Sequence, residues 1–259
     1  MSRYIKSEFY RLLHYKWSYL FVVICSVLLL SSNIVLAAVK HSDSKFPYAN
    51  TAFAFGNFYS NYLMVFFLCI LVANMVFGNE HSNHTMKNTV SYGISRVTIY
   101  FGKLLVQVTF AVIAFSLIMG SHILSSYLLL EHSAVGELEL LLRSSLACIP
   151  LFLFALAVTN CFAFTMESSS SAISTACCIM LVIPIVTNLL GMRFELFNKI
   201  TQVMPLIMIK NVNISLDQDT INVIWGNNVS YSAYWFIGIL EMLIFVVLGL
   251  VLFNKKEIK

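Results

Sequence analysis

The sequence predicts an all-α membrane protein with six transmembrane helices. Three observations carry that prediction. Apolar residues make up 59% of the 259 positions and charged residues 11%, a balance that marks a membrane-embedded chain rather than a soluble one. Six apolar runs, at about 18–39, 58–77, 104–130, 144–164, 172–190 and 234–253, approach or reach the roughly 20 residues a helix needs to cross the hydrocarbon. The cations alternate in density between the connecting segments. Arg3, Lys6, Arg11, Lys16, Lys87, Arg96, Lys103, Lys255, Lys256 and Lys259 fall on one side, which the bias identifies as cytosolic. Lys40, Lys45, Arg143, Arg193, Lys199 and Lys210 fall on the other. Residues 1–259 read as a single transmembrane domain in the plasma membrane, with both termini in the cytosol.

Residues 3–17 open the chain as an amphipathic helix. Ile5, Phe9, Leu12 and Leu13 share one face at helical spacing, and Arg3, Ser7, Arg11 and His14 share another. A basic helix ending in Tyr15, Trp17 and Tyr19 belongs in the membrane interface. No cleaved signal peptide is expected, since no small-residue cleavage site precedes Ser31. The first span follows, and 40–57 reads as an exterior loop. The second span returns the chain to the cytosol. The third, 104–130, is long enough to tilt or to project beyond the bilayer.

Residues 131–143 are exterior and carry Glu131, Glu137 and Glu139. Pro150 lies near the start of the fourth span, where a missing amide is best tolerated. The turn at 165–171 places Glu167 before four serines on the cytosolic side. Pro184 predicts a kink in the fifth span. Between the fifth and sixth spans, Phe194–Ile209 is too apolar for a solvated loop and too short to span. It reads as a re-entrant or interfacial helical segment divided at Pro205.

The segment 80–103 organises the rest. It is polar and basic, and it is wedged between the second and third spans. Glu80 to Val90 can form about three helical turns, with Glu80 in the first turn, where it complements the helix dipole. Tyr92-Gly93 breaks that helix, and Ser95 can cap a new one running into the third span. One reading is a solvated connector. The other is a short helix lying along the membrane as a mechanical contact point.

The pattern Glu80-x4-Thr85-Met86-Lys87-Asn88, Ser91-Tyr92-Gly93-Ile94-Ser95-Arg96 and Gly102-Lys103 resembles the cytosolic loop of ATP-binding-cassette type-2 permeases. In that family an acid, a Gly-Thr pair, a Pro-hydrophobic-Ser-Arg turn and a Gly-Lys recur at this spacing. His84 stands here where Gly is usual, and Gly93 where Pro is usual. The resemblance implies a coupling helix that docks on an ATPase, with Glu80, Thr85, Lys87, Ser95, Arg96 and Lys103 as the coupling residues. Glu167 would be a second cytosolic contact. It further implies cytosolic ATPase subunits that carry ATP and Mg, and a second permease chain, identical or related. In the family the first, second and fifth spans face that partner half. Compact members are often assigned to export of peptide antibiotics or to immunity against them, so an amphiphilic cargo, an antimicrobial peptide above all, is the expectation.

Several chemistries are absent from the sequence. Gly102-Lys103-Leu104 lacks the rest of a phosphate loop, so this chain should not hydrolyse ATP, and no cofactor of its own is expected. The six cysteines all lie in apolar runs and make neither a disulfide framework nor a metal motif. His81 and His84 lack the further ligands a metal needs. The net charge of +4 faces anionic headgroups of the lipid bilayer rather than nucleic acid.

Glu241 stands alone near the middle of the last span, with His122, Asn188 and Asn160 as candidate partners. A carboxyl there costs a few kcal/mol and should face protein or a cavity, or be protonated. A structural hydrogen bond and a transport role are both open. The second gives an alternative reading, a proton-coupled secondary transporter. A scaffold or sensor subunit is a third.

Overall fold

The computed structural model describes residues 2–83, 86–133, 136–210, 213–214, 220–222 and 228–256, with backbone alone at 2, 78–83, 86–88, 213–214, 220–222 and 228–230. Five helices among them are long and apolar enough to cross a membrane, and one bent helix pair makes a sixth.

The chain opens with α1 (Ser2–Leu13), and Tyr15 then starts α2 (Lys16–Ser42). The expected 3–17 helix therefore ends early. The second span is not the straight 58–77 helix the hydropathy suggested. It is α3 (Thr51–Ser60) followed by α4 (Tyr62–Asn83), with a 56° bend between α3 and Tyr62–Phe77. Much of the expected 40–57 loop is thus helical. Side-chain hydrogen bonds hold it. The Asn50 side chain caps α3 by accepting from the Phe53 amide at 2.8 Å. Thr51 is tied across to Ser133, whose amide donates to the Thr51 hydroxyl at 3.0 Å. At the break, the Asn61 amide group turns back to donate to the Asn57 carbonyl at 2.7 Å.

Next come α5 (Met86–Ser91) and α6 (Arg96–Leu129). The turn between them has the predicted chemistry. Gly93 takes φ +79°, a left-handed conformation that suits glycine. Ser95 caps α6, its hydroxyl accepting from the Thr98 amide at 3.3 Å.

The helix α7 (Glu137–Thr165) begins well before the expected 144 and absorbs most of the predicted exterior segment. It is the central post of the bundle, touching α3, α4, α6, α8 and α12. Its most apolar stretch is 78% buried, against 6% for that of α2. A helix apolar on every face is stable only inside such a bundle or in lipid.

The fifth span runs through α8 (Ser169–Cys177), a π-helical turn at Cys178–Val182 and α9 (Ile183–Gly191). The π turn lies directly before Pro184, in keeping with the amide that proline withholds from the ladder. The insertion that follows splits as expected, into α10 (Glu195–Gln202) and a buried α11 (Pro205–Lys210) opened by its proline.

The described residues are overwhelmingly helical, as the all-α expectation has it, with one small addition. Strands β1 (Asn213–Ile214), β2 (Thr220–Asn222) and β3 (Asn228–Ser230) form a small antiparallel sheet ordered β1-β2-β3. It leads into α12 (Tyr231–Lys255), which packs along α7.

Candidate functional site

At the end of the bundle that carries α1, the helix ends are tied together by charge. α1 lies across α6 so closely that a Cβ at Gly102 would stand 2.9 Å from the Tyr4 ring. That approach buries the charged face of α1. Glu8 accepts from the Lys103 ammonium at 3.1 Å and also from Arg11. Arg11 reaches further, donating to the Val76 carbonyl of α4 at 2.7 Å. The Lys103 ammonium sits 4.9 Å from the centre of the Phe77 ring, a cation–π contact. Its side chain is 1% exposed and that of Glu8 is 7% exposed. Lys103, expected to touch an ATPase, is therefore sealed inside the chain and fastens α1 to α6.

Arg96 is also redirected. One guanidinium nitrogen, Nη1, donates to the carbonyls of Phe253 and Asn254 at 2.7 Å and of Lys256 at 2.8 Å. The guanidinium also lies over the Phe253 ring. These carbonyls lie at the end of α12, where orphan acceptors need partners, so Arg96 caps that helix. Lys256 answers from the other side, donating to Phe164 at 3.2 Å and Met166 at 3.0 Å at the end of α7. Burial pushes the Lys256 ammonium below its usual pKa, while the nearby Glu167 carboxylate works against that shift. Glu167 itself is exposed. Of the other coupling residues, Ser95 is the cap described above. The side chains of Glu80 and Lys87 lie outside the described residues, as does Thr85 entirely.

The polar residues inside the spans do not gather around Glu241. Asn160 on α7 accepts from Gln107 of α6 at 3.1 Å. His122 lies against α2 and α3: one ring nitrogen is 3.3 Å from the Ala54 carbonyl and the other 3.4 Å from the Asn33 amide nitrogen. Both Ser125 and Ser126 hydroxyls donate to the His122 carbonyl, so their oxygens accept from the Asn33 side chain, at 2.7 and 3.0 Å. This buried latch holds α2 to α6 at the end opposite α1. Asn188 is half-buried on α9. Glu241 keeps a buried carboxyl oxygen with no hydrogen-bond partner among the described residues. Among the described residues no hydrogen bond joins Glu241 to His122, Asn160 or Asn188; His122 is engaged with Ala54 and Asn33, and Asn160 with Gln107 through its oxygen, its amide nitrogen being left without a partner. Asn33 and Gln107 were missed by sequence reasoning. Both could have been found by the rule that picked out Glu241, that a polar side chain within a span needs a partner.

Between the two ends α2 stands away from the bundle. A cavity of about 1010 Å³ opens there, walled by α2, α3, α4, α6 and α7 and including Leu28, Leu68, Phe115 and Leu153. Asn33 and His122, the Asn57–Asn61 pair and the hydroxyls of Ser31, Ser32, Ser116 and Ser145 supply the polar groups on its wall.

This is a helical membrane bundle whose chemistry consists of helix-end ties and buried polar cross-links. Comparison with known families matches residues 4–187 to the model for the ABC-2 family transporter protein. The match covers well over half of the chain, from α1 into α9, and the chain belongs to this family. It is the membrane component of an ABC transporter, a multi-pass protein that acts with ABC ATPase subunits and is not itself catalytic. No curated protein matches the chain.

Proposed function

We propose that this chain is the membrane-spanning permease subunit of an ATP-driven exporter. It works with a second permease chain, identical or closely related, and takes its energy from cytosolic subunits that bind ATP and Mg. Both termini and the 80–103 segment lie in the cytosol. The observation that carries this reading is the cross-tied cytosolic end. Glu8, Arg11 and Lys103 bind α1 to α4 and α6, while Arg96 and Lys256 bind α12 to α6 and α7. A stiff platform of this kind lets a push on α5 or on the Gly93 turn move whole spans instead of being lost in a loop. Glu80, Thr85, Lys87 and the exposed Glu167 remain the candidate ATPase contacts. Lys103 and Arg96 hold the platform from within.

The cargo is an amphiphile, and the best candidate is an antimicrobial peptide, exported or cleared from the membrane as self-immunity. The test is transport-linked ATP hydrolysis by the reconstituted complex, with and without Glu80→Ala. Loss of coupling with normal insertion supports the reading, and parental transport would reduce the loop to a connector. Peptide-stimulated hydrolysis and survival of cells against a peptide panel test the cargo separately.

A proton-coupled secondary transporter is the second reading, and the unpartnered carboxyl oxygen of Glu241 supports it. Glu241→Gln should abolish transport driven by a proton gradient if that reading holds, and leave ATP-driven transport intact if it does not.

A further inference from the structure

We propose that the cavity beneath the Asn33 latch holds the hydrocarbon tail of a single-chain amphiphile, with the amphiphile's first polar group seated at the Asn57–Asn61 pair. The space measures about 1010 Å³, at the top of the roughly 300–1,000 Å³ range of small-molecule sites. The space is half open, not an enclosed void, so an apolar occupant can reach it from the bilayer, and its hydrocarbon walls favour such an occupant over water. None of the residues lining it is Asp, Glu, Lys or Arg. A charged headgroup or a cationic peptide backbone would therefore go unpaired inside, and only an uncharged chain fits.

The side-chain amides on its wall are gathered at one end. Asn33 and the Ser125 and Ser126 hydroxyls satisfy one another, apart from one Asn33 oxygen that is closed off from the cavity. Asn57 and Asn61 are exposed and line the same space at the 56° bend. Asn61 spends its amide nitrogen on Asn57, leaving the Asn57 amide nitrogen and the Asn61 oxygen without a partner among the described residues. One donor and one acceptor at the mouth of an apolar slot suit a hydroxyl, ester or amide at the root of a tail. Entry is lateral. α2 is fixed by the latch at one end and by α1 at the other, and its most apolar stretch is 6% buried.

This rests on the export reading and departs from its peptide cargo, since the space suits a hydrocarbon-tailed amphiphile. Its test needs neither ATP nor the ATPase, so the two can fail separately. The full-length protein is reconstituted in dioleoylphosphatidylcholine vesicles containing a long-chain primary alcohol with a diazirine in its tail. A parallel sample carries the same diazirine on a phosphatidylcholine acyl chain. After illumination the adducts are mapped by mass spectrometry. The expected result is severalfold more alcohol labelling at Leu68, Phe115 and Leu153 than at Leu243 and Val247 on the exposed face of α12, with competition by unlabelled alcohol. Leu68→Trp or Val112→Trp should lower cavity labelling in variants that remain folded, and Leu243→Trp should not. Even labelling of all apolar faces would overturn the proposal. So would an uncompeted pattern shared with the phosphatidylcholine probe, which marks ordinary boundary lipid. Should the tryptophan variants misfold, the map on the unsubstituted protein decides alone.

Discussion

Replacing Glu8 by Gln should release α1 from the bundle, and should do so more severely than replacing Lys103. The asymmetry follows from the geometry. Glu8 faces two cations, Lys103 and Arg11. Removing Lys103 leaves Glu8 neutralised by Arg11, so the main losses are one charge-assisted hydrogen bond and the contact with Phe77. A hydrogen bond to a charged group is worth about 1.5–3 kcal/mol. Removing the carboxylate takes an acceptor from both cations at once. Arg11, with a side chain 34% exposed, can turn to solvent, whereas Lys103, at 1%, cannot. Two such charge-assisted bonds come to about 3–6 kcal/mol, which at about 1.4 kcal/mol per tenfold is about two to four orders of magnitude in the docking equilibrium of α1. Hydrogen exchange of the α1 amides in detergent or nanodiscs reads that equilibrium. Glu8→Gln should bring exchange at Ile5–Leu12 far closer to the unprotected rate, Lys103→Met should do so less, and Glu8→Gln with Lys103→Met should restore much of the protection. Exchange at the parental rate in Glu8→Gln, or a double variant worse than both singles, would refute the idea that charge compensation holds the helix.

Arg96→Gln should uncap α12, speeding exchange at residues 251–256 and exposing Lys255 and Lys256 to trypsin; unchanged cleavage would show that the cap is incidental. In a cysteine-free background, single cysteines at Ser44 and Ser133 should label from outside with an impermeant reagent, while Ser2, Asn88 and Ser169 label only after permeabilisation. Outside labelling at Asn88 would invert the topology on which the functional reading rests. Glu195 on the exposed α10 is held below its ordinary pKa, first by its hydrogen bond from Lys199 and then by that charge. Its small support of the helix is present above the ordinary carboxylate range and is lost as pH falls through the lowered value, so α10 exchange should rise on acidification and the effect should fade in high salt. Spin labels at Tyr92 and Ser42 should report correlated displacement when the ATPase binds nucleotide, and a static Ser42 would mean that motion at one end of α6 does not reach the other.

The readable part of this structure is the part decided locally. Gly93, Ser95 and Pro205 dictate a turn, a cap and a helix start through their own backbone chemistry, and each sits where that chemistry put it. Hydropathy located the spans to within several residues, because burial in lipid needs only composition and length. The bend at Asn61 escaped because the apolar run continues through it, and what breaks the helix is an amide folding back on Asn57. The intramolecular partners of Lys103 and Arg96 escaped for a different reason. Their partners lie 95 and about 157–160 residues away, and a basic residue next to a span reads as solvated until its distant acceptor is known. Asn33 and Gln107 carried a readable signal, since polar side chains in apolar runs call for partners. The short sheet at 213–230 lies in a polar stretch whose pairing no hydrophobic alternation marks.

One helix carries most of the cross-links described. α6 spans 34 residues, about 51 Å at 1.5 Å per residue. Along it stand Arg96, tied to the end of α12, Lys103, tied to α1, Gln107, tied to α7, and His122 with Ser125 and Ser126, tied to α2. These ties are polar and directional, and those inside the spans have no water to replace a lost partner. A tilt or rotation of α6 therefore cannot be absorbed gradually, as it would be along a purely apolar seam. Either the tied helices follow, or a tie breaks at the cost of a buried unsatisfied group, about 1–3 kcal/mol each. The Gly93 turn enters α6 directly through Ser95, so a force applied there meets this choice at every level of the bundle. The weakest resistance is at α2, the least buried span, which is fastened to α6 by the Asn33 latch and borders the cavity. A displacement begun at the Gly93 turn should thus be expressed first as a movement of α2 against the tail-sized space beneath its latch.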